Sequence, residues 1–77
     1  MTVLLFARAR DLIGADRVDI EATATVGELR RRLVRRYPQI AGLLEKSAFA
    51  VNDEFADDGT PIPAGAEVAL LPPVSGG

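Results

Sequence analysis

The 77-residue sequence contains no cysteine and no histidine. Without cysteine, the chain has no disulfide, no thiolate metal ligand and no cysteine nucleophile. Without histidine, it lacks the commonest general base and the commonest metal ligand of proteins. These two absences leave few ways in which the chain could be an enzyme on its own.

Long apolar runs and an excess of positive charge are also missing. No run approaches the roughly 18 apolar residues that a membrane-spanning helix needs. The apolar stretch of residues 3–7 is short and follows no basic region, so we interpret it as a strand and not as a signal peptide. We therefore expect a cytoplasmic location and no membrane partner. The net charge of −2 gives no reason to expect a nucleic-acid partner.

The residues that are present predict one small α+β domain. The apolar fraction of 48% and the charged fraction of 26% are ordinary for a globular protein. Asp11 to Gly14 is predicted to be a turn, in which Gly14 takes a positive φ. Apolar alternation and turn residues predict five strands, at residues 2–8, 17–22, 47–53 (turning at Asn52 and Asp53), 54–56 and 67–71.

Residues 25–37 give the clearest helix signal. Thr25 and Glu28 have the spacing of a capping box, and Pro38 disfavours helical geometry at the residue before it. The core stripe of this helix is predicted to consist of Val26, Leu29, Leu33 and Tyr37. A short second helix is predicted at residues 39–46, with Ile40, Leu43 and Leu44 facing inward.

The order of these elements predicts a β-grasp fold. We expect the first two strands to form a hairpin and the last strand to lie parallel to the first, after the helix has crossed one face. The result is a mixed sheet of four or five strands packed on one main helix. Residues 1–71 would form this domain, and residues 72–77 a flexible, extended, functional C-terminal tail.

The last six residues, "PPVSGG", are interpreted as the working part of the chain. Two prolines cannot continue a strand ladder and favour an extended segment, and six residues span at most about 20 Å. Pro72 and Pro73 are predicted to stop the last strand and to stiffen the segment that follows it. Val74 and Ser75 would bridge the distance to the two glycines. Gly76 and Gly77 would enter a narrow tunnel in another protein. The carboxylate of Gly77 would be activated as an acyl-adenylate and then attacked by a sulfur nucleophile or by a lysine amine.

The sequence resembles the small subunit of molybdopterin synthase, the MoaD family, over essentially its whole length. The resemblance lies in the opening "LLFARARDLIG", in the closing "IPAGAEVALLPPVSGG" and above all in the tail. It implies a sulfur carrier that is not an enzyme on its own. Gly77 would be adenylated and converted to a thiocarboxylate, and its sulfur would pass to precursor Z (cyclic pyranopterin monophosphate) in molybdenum cofactor biosynthesis.

The resemblance also implies partners. These are a large synthase subunit (MoaE-like) that holds most of the catalytic residues of a heterotetramer, an adenylating activating enzyme (MoeB-like) and a sulfurtransferase. No cofactor would be tightly bound, and ATP would be used by the activating partner. In the family, a basic residue at the position of Arg10 helps to dock the large subunit; a solvated arginine is the alternative.

Phe6 and Leu71 are predicted to lie near each other if the first and last strands are neighbours, on the face that the main helix does not cover. They would form either a patch that docks a partner or a second, smaller core.

Two sets of charged residues each allow two interpretations. Five arginines of the main helix form either a site for an acidic partner or nucleic acid, or a solvated face: Arg30, Arg31, Arg32, Arg35 and Arg36. Four acids in the following turns form either a metal site or ordinary turn residues: Asp53, Glu54, Asp57 and Asp58. The absence of regular ligand spacing favours turn residues, so no metal is expected.

Three other functions stay possible from sequence. A thiamine-pathway sulfur carrier would use the same Gly-Gly end. A ubiquitin-like modifier would be conjugated through Gly77 to lysines of other proteins. An interaction module with an idle tail would keep its function when Gly77 is deleted.

Overall fold

A computed structural model describes residues 1–73. In chain order its strands and helices are β1 (Thr2–Leu5), α1 (Ala7–Ile13), β2 (Arg17–Asp19), α2 (Val26–Arg36), a 3₁₀ turn (Pro38–Ile40), α3 (Ala41–Lys46), β3 (Ala48–Val51), β4 (Glu54–Ala56) and β5 (Val68–Leu71). None of the helices in this part of the chain has the length and apolar character to cross a bilayer.

The five strands form one mixed sheet in the order β2-β1-β5-β3-β4. β1 pairs antiparallel with β2 and parallel with β5, so the predicted neighbours of the first strand are confirmed. β3 pairs antiparallel with β5 and with β4. This mixed sheet with one main helix across a face confirms the predicted β-grasp fold, and it makes β5 the central strand.

The core lies between the sheet and α2. Alternate residues of β1, β5 and β3 turn toward the helix and are buried: Val3, Leu5, Val68, Leu70, Phe49 and Val51. On the helix, Val26, Leu29 and Leu33 are fully buried, and Tyr37 packs against the core while remaining partly exposed. The helical stripe predicted from spacing is therefore confirmed.

Both ends of α2 follow from local sequence. The Thr25 hydroxyl oxygen accepts a hydrogen bond from the Glu28 backbone N–H at 3.3 Å, which satisfies one unpaired amide of the first turn. The helix ends at Arg36, and Pro38 opens the 3₁₀ turn. In α3 and the turn before it, Ile40 and Leu44 are buried as predicted, and Leu43 packs against the core.

The region after β1 corrects the sequence prediction. The first strand ends at Leu5 and not at residue 8, and Ala7–Ile13 is a helix and not a strand followed by a turn. Ala7 turns the chain with a φ of 50°, and Gly14 ends the helix with a φ of 83°, so the positive φ predicted for Gly14 is confirmed. The helix forms because alanine, arginine and leucine are good helix formers and because Ala9 is fully buried.

Strand boundaries also differ from the prediction. β2 ends at Asp19 and β5 begins at Val68, and β1 and β2 are joined through α1 instead of a tight hairpin turn. The predicted turn between β3 and β4 is confirmed, with positive φ at Asn52 and Asp53. Asn52 also accepts a hydrogen bond from the Glu67 N–H through Oδ1 at 3.0 Å, which ties this turn to the start of β5.

Candidate functional site

The C-terminal segment leaves the domain from the central strand of the sheet. Leu70 pairs with Leu5 on one side, and Leu71 pairs with Ala48 on the other. The strand ends at Leu71, as predicted, because Pro72 and Pro73 have no N–H to donate to a neighbouring strand. Pro72 is half-buried and Pro73 is exposed. We call this position, Leu71 to Pro73, the tail exit.

Four residues of the predicted tail lie outside the described residues. They are Val74, Ser75, Gly76 and Gly77. The site that can be built from contacts therefore consists of the tail exit and the surfaces around it.

Phe6, Leu71 and Arg10 border the same end of the sheet. The register places Phe6 and Leu71 one residue beyond the Leu5–Leu70 pair on neighbouring strands. Phe6 is 44% exposed, and Leu71 is half-buried. Arg10 follows Phe6 by one helical turn, and its N–H donates to the Phe6 carbonyl at 3.4 Å. Its side chain is exposed beside Asp11 at 3.9 Å, a distance at which an ion pair is weak.

The sheet face opposite α2 carries an apolar row that the sequence interpretation missed. Leu4 pairs with Ala69, Ala69 with Ala50, and Ala50 with Phe55, so the four residues form a line across β1, β5, β3 and β4. We call these four residues the outer apolar row. Phe55 is 79% exposed, whereas the other three are half-buried. The alternation of side chains along β3 could have revealed the outer apolar row. Because Phe49 faces the core, Ala50 and the residue paired with it, Phe55, must lie on the opposite face of the sheet.

The five arginines of α2 do not all lie on one exposed face of the helix. Arg30 turns inward: its guanidinium lies 5.0 Å from the Phe49 ring centroid and donates to the Ser47 carbonyl at 2.9 Å. It also donates to the Leu44 carbonyl and pairs with Asp58 at 2.9 Å. The sequence interpretation placed Arg30 with the solvent-facing arginines, and this is corrected.

Three other charged residues of these two sets have partners within the fold: Arg32, Asp57 and Asp58. Arg32 pairs with Glu21 at 2.8 Å, while Arg31, Arg35 and Arg36 are exposed. Asp57 accepts hydrogen bonds from the Gly59 N–H at 3.1 Å and from the Thr60 hydroxyl at 3.0 Å. With Asp58 held by Arg30, these two acids already have partners within the fold, as expected of turn residues.

Taken together, the fold and the tail exit define a β-grasp domain whose central strand ends at the tail exit, next to the exposed Phe6. The ThiS family model matches residues 3–77, and the chain belongs to the ThiS family.

A curated relative and two solved structures refine this assignment. The molybdopterin synthase sulfur carrier subunit of Dictyostelium discoideum is 41% identical, over 97% of this chain and 93% of the relative. SAMP1 from Haloferax volcanii is 34% identical with a TM-score of 0.76, covering 99% of this chain and 97% of that one. Subunits 1 and 2 of the molybdopterin-converting factor from Helicobacter pylori form a complex of known structure, in which the matching chain is 31% identical with a TM-score of 0.70. That match covers 99% of this chain and 96% of the other. The resemblance inferred from the opening motif and the tail is therefore confirmed.

Proposed function

We propose that this protein is the sulfur-carrying small subunit of a molybdopterin synthase and that the carboxyl group of Gly77 is the carrier. The observation that supports it most directly is that the family match runs through residue 77. The names of curated relatives agree with a sulfur-carrier role. The tail exit adds a physical reason, because the strand that precedes it, β5, is held between β1 and β3.

The proposed chemistry needs no side chain of this protein as catalyst. A carboxylate oxygen of Gly77 attacks the α-phosphorus of ATP on an adenylating partner, and pyrophosphate leaves. A sulfur nucleophile supplied by a sulfurtransferase system then displaces AMP, and a thiocarboxylate results. The large synthase subunit takes up the tail and transfers the sulfur to precursor Z. Because the chain has no cysteine, no internal thiol competes for the activated carbonyl.

Docking of the large subunit is proposed to use Phe6, Leu71, Arg10 and the outer apolar row. An exposed phenylalanine on a sheet face and a second one at the strand end are costly in water and favour an interface. The relative from Helicobacter pylori, which forms a complex of two subunits, supports a partner of this kind.

Intact mass spectrometry of the protein from its native host tests the carrier role. A fraction of the chains is expected to carry sulfur in place of one carboxyl oxygen, and this sulfur should appear in molybdopterin when the large subunit and precursor Z are added. Deleting Gly77 should abolish both signals. Gly76→Val should block activation or transfer, since a β-branched side chain widens the segment, while thermal unfolding stays unchanged.

A protein-modifier role is the second candidate, because SAMP1 is among the structural relatives and a second Haloferax structure bears the name small archaeal modifier protein 1. Conjugates of Gly77 with lysines of other proteins, together with no sulfur transfer to precursor Z, would favour it. A thiocarboxylate that yields no pterin product would instead indicate a thiamine-pathway carrier.

A further inference from the structure

The outward side of α2 carries positive charge that the fold does not neutralise. Five of the nine basic residues of the sequence are arginines of this helix, and no acidic residue occurs from residue 29 to residue 44. Among the residues that the structure describes, three of these arginines are exposed and form no ion pair: Arg31, Arg35 and Arg36. We call these three residues the arginine face.

The spacing of these arginines is unfavourable for the domain on its own. Arg31 and Arg35 are four residues apart, as are Arg32 and Arg36, and like charges at this spacing destabilise a helix. Cations in the last turn of a helix are favourable, which accounts for Arg35 and Arg36. It does not account for Arg31, which lies in the middle of the helix. An anionic group that contacts Arg31 and Arg35 together would remove their repulsion.

The surroundings of the arginine face favour a protein as the source of this anionic group. Arg31, Arg35 and the half-buried Val34 line a groove on the outside of the helix. Guanidinium groups bind carboxylates through pairs of parallel hydrogen bonds, and Val34 offers apolar contact to an aliphatic side chain. None of the described residues that line the groove is aromatic, so nucleic-acid bases find no surface to stack on. The net charge of −2 gives a phosphate chain no general attraction either.

The arginine face and the tail exit can be occupied by two proteins at once. Because α2 buries Leu29 and Leu33 against one face of the sheet, the arginine face points away from the outer apolar row on the other face. A partner that acts on the C-terminus must lie at the tail exit, since β5 ends there. In the proposed function, sulfur attacks the acyl-adenylate while the adenylating partner still holds the chain. The sulfur donor therefore joins a complex in which the tail exit is already covered.

We propose that the arginine face docks an acidic surface of the protein that supplies sulfur, while the adenylating partner occupies the tail exit. This inference rests on the proposed function, because it requires two partners that act on the same chain. The contact holds the donor on the complex and takes no part in the transfer of sulfur itself. It should weaken as the salt concentration rises, since charges on exposed groups are screened over about 10 Å at 0.1 M salt.

Reconstitution with the adenylating enzyme and the sulfurtransferase of the native host tests this docking. The test variant is Arg31→Glu with Arg35→Glu, which reverses two exposed charges and should leave thermal unfolding cooperative. Its ATP–pyrophosphate exchange, which measures adenylation without a sulfur donor, should equal that of the wild type. In thiocarboxylate formation, followed by intact mass spectrometry, the KM for the sulfurtransferase should rise at least about tenfold at an unchanged maximal rate, because attractive contacts become repulsive. Added salt should reduce this difference.

The matched control makes the same change of net charge outside α2. Arg8→Glu with Arg17→Glu reverses two exposed arginines of α1 and β2, and its KM for the sulfurtransferase should match that of the wild type. An equal rise of KM in this control, a loss of adenylation in Arg31→Glu with Arg35→Glu, or an unchanged KM in that variant would each overturn the proposal. Binding of a fluorescent single-stranded RNA that only the test variant loses would assign the face to nucleic acid and overturn it as well.

The same assay separates this inference from the proposed function. If the wild type gains no sulfur, the proposed function fails and the docking site falls with it. If the wild type gains sulfur and the test variant gains it equally well at every sulfurtransferase concentration, the proposed function stands and the docking site alone is wrong.

Discussion

Arg30 joins three separate parts of the chain through one side chain. Its partners, Leu44, Ser47 and Asp58, are 14, 17 and 28 residues away in sequence. The guanidinium satisfies two carbonyls where α3 ends and β3 begins, next to the strand pair that holds the tail exit. We therefore interpret Arg30 as a residue that fixes the base of the tail.

Replacing Arg30 with methionine should lower the free energy of unfolding by about 1–3 kcal/mol. The methionine side chain keeps contact with Phe49 but leaves the partly buried Ser47 carbonyl without its donor, and an unsatisfied group of this kind costs about 1–3 kcal/mol. The Leu44 carbonyl keeps the hydrogen bond from the Ser47 N–H at 3.3 Å. The pair with Asp58 adds little, because that carboxylate is 60% exposed. Urea denaturation of the purified domain measures the change.

Arg31→Met on the same helix is the matched control. Arg31 is exposed and takes no part in the Arg30 contacts, so its replacement should change stability by no more than about 0.5 kcal/mol. Equal losses in the two variants would show that the inward contacts of Arg30 do not stabilise the fold.

At this scale, sequence predicted the capping role of Thr25 because its partner is three residues away. It did not separate Arg30 from its neighbours, since the carbonyls that select Arg30 are contributed by elements folded against it from a distance. The same reason explains why Phe55 was missed: its exposure depends on which face of the sheet the helices cover.

At the scale of elements, α1 shows two local signals in competition. The apolar run of residues 3–7 includes Phe6 and Ala7 and favours a longer strand, whereas residues 7–13 are mostly good helix formers. The helix forms because it buries Ala9 and because Gly14 adopts the left-handed conformation that ends a helix. Periodicity over so few residues does not distinguish a strand from a helix, so only the positive φ of Gly14 was predicted correctly.

Two glycine substitutions should therefore have opposite signs. Gly14→Ala is expected to destabilise the domain by about 1 kcal/mol, because alanine resists a φ of 83° although no atom lies within 4 Å of the added methyl group. Gly42→Ala within α3 meets no atom either and should stabilise by about 0.5–1 kcal/mol through helix propensity. Thermal unfolding of both variants against the wild type gives the comparison. A stabilising Gly14→Ala would contradict the conformation assigned to the end of α1.

At the scale of the whole molecule, the pairing of β1 with β2 and with β5 was predicted, whereas the pairing of β3 with β5, which makes β5 central, was not. A strand that returns beside the first after a helix crossover has few permitted arrangements. The position of the tail exit follows from this topology, because β5 runs parallel to β1 and ends beside the end of β1.

Substitutions on the inner face of the sheet should lower stability, whereas substitutions on the outer face should mainly weaken partner binding. Phe49 is fully buried against α2, whereas Phe55 is 79% exposed in the outer apolar row. Phe49→Ala is expected to cost about 3–5 kcal/mol of unfolding free energy, a large share of what a small domain has. Phe55→Ala should cost no more than about 1 kcal/mol, the span of strand propensities.

Exposed residues that matter little for stability should matter for binding to the large synthase subunit. Phe55→Ala is expected to raise the Kd by at least about fivefold, because truncating an aromatic anchor at an interface costs about 1 kcal/mol or more. Phe6→Asp should weaken binding further, since it places a charge beside the tail exit, yet the domain should still unfold cooperatively. Isothermal titration calorimetry with the large subunit measures both, with Arg31→Ala on the helix side as a control whose Kd should not change. If Phe55→Ala binds like the wild type while Phe6→Asp does not, docking is confined to the tail exit and the outer apolar row is no part of it.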